Sequence, residues 1–135
     1  MIIESNSNIE SFIRKNYDKR DIVFTMERDI SIDDYTDNII HNFEITNFRL
    51  FKNMTLVTFK NKKLDEWYYN ALIVTSNDKV IYAINGNFIY SYDIDGGIYL
   101  LVEEWTPHSG YGGLRFLKIY PDKVETVASD FSNSD

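Results

Sequence analysis

From residue 42 onward the apolar pattern of this chain repeats every second residue and is broken at short intervals by turn residues. Side chains alternate faces along an extended strand, so a period of two marks strands with one face toward a core. Strand-like runs cover residues 43–50, 55–59, 67–74, 80–84, 88–92, 98–105, 114–120 and 124–127. In the first of them, Phe43, Ile45, Asn47 and Arg49 alternate with Glu44, Thr46, Phe48 and Leu50. Turn residues separate the runs, and the Asn85-Gly86-Asn87 segment is the sharpest hairpin cue among them. Connections this short join antiparallel neighbours, because a parallel neighbour needs a crossover of a dozen residues or more. The expected fold class is therefore α+β, mainly β. It is a curved antiparallel meander sheet or partial barrel of about eight strands, with one or two N-terminal helices.

The front of the chain has a helical period. Ser7 and Glu10 stand at capping-box spacing, and Ile9, Phe12, Ile13 and Tyr17 form one apolar stripe. Lys15, Lys19 and Arg20 suit the negative pole of a helix over residues 7–20. A short strand is expected at residues 22–26. Ser31 and Asp34 then cap a second helix carrying Tyr35, Ile39 and Ile40 on one side. The β meander is expected over 42–128 and a frayed tail over 129–135. No linker divides these parts, and 135 residues suit a single domain, 1–135.

The 21 acidic against 14 basic residues give a net charge of -7, which repels nucleic acid and anionic membranes and attracts cationic partners. Residues 44–80 reverse the sign locally, with six bases against four acids. Lysines there read as protection of strand edges, not as a nucleic-acid platform. The absence of cysteine excludes disulfides, thiolate zinc sites and cysteine nucleophiles, and it favours a reducing compartment. The first residues show no basic n-region or apolar h-region, and no window approaches a membrane span. A cytoplasmic location is expected, with neither membrane nor nucleic acid as partner. Nothing in the sequence sets the oligomeric state, and a monomer is the simplest reading.

No complete catalytic set is present. Glu103 and Glu104 are adjacent on a strand and diverge to opposite faces, so they do not make a facing acid–base pair. His108 and Ser109 are neighbours, whereas a triad is assembled from separate elements. Asp93-Ile94-Asp95-Gly96 resembles the start of a calcium loop, yet Gly97, Ile98 and Tyr99 stand where further oxygen ligands belong. His41 and His108 share no metal-ligand spacing. No cofactor and no metal is expected, and a hydrolase built on His108 is a minor alternative. Two acidic aromatic clusters remain: Asp33, Asp34, Tyr35 and Asp37, and Glu103, Glu104 and Trp105, with His108 and Tyr111 in the glycine-rich loop beyond. Carboxylates beside an aromatic ring suit a partner rich in lysine and arginine. A cup lined by Tyr82, Tyr90, Tyr92 and Tyr99 is the alternative, as a small-ligand site.

In size, acidity, absence of cysteine, abundance of aromatics and lack of catalytic motifs, the whole chain resembles the small acidic immunity proteins that bacteria encode beside polymorphic or contact-dependent toxins. The resemblance is compositional, since that class shares no single motif. It implies a protein that binds one cognate toxin, commonly a basic nuclease domain, and covers its active site. The acidic clusters would then take the place of the substrate's phosphates.

Overall fold

A computed structural model of the protein describes residues 6–17, 29–51, 54–64, 66, 69–77, 79–106 and 111–132. Among these residues two helices, α1 (Asn6–Lys15) and α2 (Ile32–Asn42), precede seven strands. These are β1 (Phe43–Phe51), β2 (Met54–Asn61), β3 (Ala71–Ser76), β4 (Lys79–Ile94), β5 (Gly97–Thr106), β6 (Tyr111–Tyr120) and β7 (Lys123–Ser132). They pair in chain order, each antiparallel to the last, as a meander with β1 and β7 at its edges. The sheet stays open and does not curl into a barrel. The strand expected at 22–26 lies outside the described residues.

Both helices end where local chemistry stops them. The Asn16 amide side chain donates to the Phe12 carbonyl at 2.8 Å, and its backbone N–H bonds to the Ile13 carbonyl. Helix α1 therefore ends at Lys15, short of the expected residue 20. The Ser31 hydroxyl accepts the Asp34 amide proton at 3.1 Å, the cap expected for α2. Tyr35 and Ile39 of that helix are buried, whereas Ile40 is exposed. In β1 the register slips between Ile45 and Asn47. This bulge turns Phe48 toward the core, on the side that strict alternation assigned to Asn47 and Arg49.

The hairpin expected at Asn85-Gly86-Asn87 does not form. One 16-residue strand, β4, continues unbroken through it. Residues 79–85 pair with β3 and residues 85–94 with β5, so Asn85 faces Ala71 on one side and Trp105 on the other. Gly86 sits at φ +142°, and its amide donates to the Asn70 carbonyl at 2.9 Å. The pair that closes a hairpin elsewhere here lets a strand change neighbours. Further along, β7 is paired out to Ser132, so residues expected to fray belong to the sheet.

Two apolar clusters show how the meander is layered. Ile13, Tyr35 and Ile39 of the helices pack with Phe43, Phe48, Val57, Phe59, Ala71 and Ile73 on one face of β1–β3. On the opposite face, Met54, Leu56, Leu72 and Val74 meet Ile98, Leu100, Val102, Leu117 and Ile119 of β5 and β6. Strand β3 is buried on both faces, alternate residues serving alternate clusters. The second half of the meander thus folds across the first at β4. Arg49 of β1 confirms it by reaching Ser91 at 3.0 Å and pairing with Asp93, both at the far end of β4. Each fully buried leucine or isoleucine in these layers contributes roughly 1.5–3 kcal/mol.

Candidate functional site

Folding the meander over leaves one face of its second half outside both clusters. On β5, Ile98, Leu100, Val102 and Glu104 are buried, while Tyr99, Leu101, Glu103 and Trp105 are only partly so. The pairing register carries this outer face across the two neighbouring strands, β4 and β6. Tyr99 lies between Tyr92 and Lys118, Leu101 between Tyr90 and Phe116, and Glu103 between Asn87 and Leu114. Tyr90 is 52% exposed and Tyr92 58%. The Tyr99 and Phe116 rings stack with centroids 5.0 Å apart, and the Lys118 ammonium lies 5.4 Å above Tyr99. At the β4 bend the face becomes polar: Asn70 donates to Asn87 at 2.9 Å, and Asn87 to Glu103 at 3.4 Å. The result is a flat aromatic surface with a hydrogen-bonded amide and carboxylate border.

Beneath that face is a buried polar group that sequence reasoning did not assemble. Glu104 is 8% exposed and accepts the Tyr82 hydroxyl at 3.2 Å and the Arg115 Nε–H at 2.9 Å. Arg115 also reaches the Thr126 hydroxyl, so four strands share the group. Burial, and then the adjacent Glu104 charge, hold the Tyr82 phenol far above its ordinary value of 10.0, while Arg115 pulls weakly the other way. A folded-state value raised above the unfolded one stabilises the protein fully below pH 10 and loses that contribution as pH rises further. Alkaline absorbance titration should therefore find Tyr82 silent in the folded protein. Tyr82→Phe should leave the folded tyrosinate amplitude unchanged and lower only the unfolded one. An equal drop in both states would show that Tyr82 titrates normally.

The expected partner-binding residues divide sharply. Asp33, Asp34 and Asp37 are exposed on α2, with Asp33 paired to Arg14 at 2.8 Å. Tyr35 is 1% exposed and packs edge-on against Tyr17, so it is a core ring and offers nothing to a partner. Its position in the helix turns it inward, away from the carboxylates that flank it in sequence. Glu104 is likewise withdrawn by its contacts with Arg115 and Tyr82. Glu103 and Trp105 share the outer face, and adjacent Glu103 and Glu104 do diverge as expected. His108 lies outside the described residues. Tyr111 opens β6, and its side chain is likewise outside the description.

The cup lined by four tyrosines is also corrected. Tyr82 turns inward to Glu104, whereas Tyr90 and Tyr92 stand in solvent, because the β4 bend separates them. The calcium-like segment forms the β4–β5 turn, with Gly96 at φ +80° and Asp93 engaged by Arg49. Among the described residues, no three metal-ligating side chains converge and no helix is long and apolar enough to cross a membrane. A signal for the outer face did exist: residues 98–102 are apolar at every position, which fits a strand with both faces apolar. No family model, no curated protein and no solved structure matches the chain.

Proposed function

We propose that this chain is a protein-binding inhibitor that covers a surface of one partner, in the manner of an immunity protein neutralising a bacterial toxin in the cytoplasm. The observation that carries the reading is the outer face of β4–β6. Its exposed Tyr90, Tyr92 and Leu114 surround the partly covered Leu101 and Phe116, and no described element packs over them. An apolar patch with a polar border on an otherwise charged surface marks an interaction site. Tyrosine is suited to it, since a rigid ring with a polar tip binds at low entropy cost. The charge of -7 and the exposed Asp33, Asp34 and Asp37 favour a basic partner, such as a nuclease domain, by speeding encounter.

Co-expression with basic bacterial toxin domains, nuclease domains first, tests the reading through growth protection and measured affinity. Tyr90→Ala with Tyr92→Ala should weaken binding by about tenfold or more and remove protection. Reversing Asp33, Asp34 and Asp37 to lysine should mainly slow association. Unchanged affinity and protection in both sets would sink the proposal.

A further inference from the structure

We propose that the chain also pairs with a second copy of itself through β7, two antiparallel β7 strands joining two seven-stranded sheets into one. Among the described strands β7 ends the sheet order and is hydrogen-bonded to β6 alone, so its outward backbone N–H and C=O groups have no described strand as partner. Side chains from Glu125 to Asp130 are all exposed. An open strand edge of this kind is a template for another strand.

The occupant follows from the charges and from a bulge. Pairing with β6 skips Val127: Phe116 faces Ala128, and Leu117 faces Thr126. Lys123, Glu125, Ala128 and Asp130 therefore lie on one face, opposite Tyr120, Lys118, Phe116 and Leu114. In a regular strand, residues seven apart lie on opposite faces. The bulge brings Lys123 and Asp130 to the same one. A two-fold axis between Thr126 and Val127 then sets Lys123 of each copy against Asp130 of the other, Val124 against Ser129 and Glu125 against Ala128, each of these pairs on matching faces. Lys123 contacts Glu125 at 3.0 Å with its side chain 58% exposed, so it can meet Asp130 without leaving the surface. The net charge opposes association at long range, but physiological salt screens it beyond about 8 Å. A strand-edge contact is small, so the dimer should form at concentrations on the order of micromolar.

Sedimentation velocity on the purified full chain over a concentration series tests this. A monomer–dimer equilibrium is expected. Lys123→Asp or Asp130→Lys alone should each weaken it by about tenfold, because symmetry turns two attractive pairs into two repulsive ones. Mixing the two folded variants should restore a heterodimer of wild-type strength, since each then presents the charge the other needs. A monomer at every concentration overturns the proposal, as does a dimer insensitive to either reversal or a mixture that fails to re-form. Asp130 adjoins Leu114 on the face of the aromatic patch, so the readings are separated by Tyr90→Ala with Tyr92→Ala, which lie on β4 and should leave the monomer–dimer equilibrium unchanged.

Discussion

Gly86→Ala is expected to destabilise the fold by about 3–5 kcal/mol, within the range of the most damaging single substitutions. A Cβ at this position would stand 1.9 Å from the Glu103 carbonyl oxygen and 3.1 Å from the Glu104 Cα. Both are backbone atoms of the neighbouring strand, so nothing flexible can give way. The residue also sits at φ +142°, a conformation that L side chains rarely adopt. Gly96 separates the two effects: it has φ +80° and nothing within 4 Å of its added Cβ. Gly96→Ala should therefore cost only about 1 kcal/mol, from backbone conformation alone. Urea unfolding of both variants measures the difference. A Gly86→Ala protein within about 1 kcal/mol of wild type would mean that β5 approaches β4 less closely than the bend requires.

The second large effect concerns Arg115. Its Nη2 and Nε both lie 2.9 Å from the Glu104 carboxylate, whose side chain is 11% exposed. Arg115→Ala leaves that carboxylate buried beside a phenol, with no cation to offset its lost hydration. The expected cost is about 2–3 kcal/mol, below the full penalty for breaking a buried pair because the Arg115 side chain is 29% exposed. Replacing both partners, as Glu104→Leu with Arg115→Met, should be less destabilising than Arg115→Ala alone, since it removes the charge together with its counterion. Denaturant midpoints of the single and double variants decide this. If the double variant is the worse, the pair contributes net stability, and the buried-charge explanation fails.

These two sites show where reading the sequence succeeds and where it stops. The strand period was legible because side-chain alternation is a property of one strand. The α2 cap was legible because Ser31 and Asp34 are three residues apart. At residues 85–87 local and tertiary preferences compete. Asparagine–glycine favours a turn in isolation, but β3 and β5 offer hydrogen-bond partners on both sides of an extended chain. The glycine is then used for close approach in place of reversal. Phe48 is a similar case, since a one-residue bulge inverts every facing assignment after it.

The candidate surface divides along the same line. Tyr35 among its aspartates and Glu104 beside Trp105 read as acidic aromatic patches, because the residues are adjacent in sequence. Helix and strand periodicity instead send Tyr35 and Glu104 inward, leaving the aspartates and Glu103 outside. The aromatic face drawn from β4, β5 and β6 has no counterpart in any short stretch of chain.

By itself the sequence determined the class of fold: alternating strands, short turns and a helical front, hence an antiparallel meander. These follow from backbone geometry and interactions a few residues long. Only the tertiary structure decided that the strand continues through Asn85 and Gly86, that the meander folds its second half over its first, and that Tyr82 and Arg115 meet the buried Glu104. The reason is that each outcome depends on which apolar face finds cover. That choice belongs to the whole set of strands, and it left one aromatic face for which the chain itself supplies no described cover.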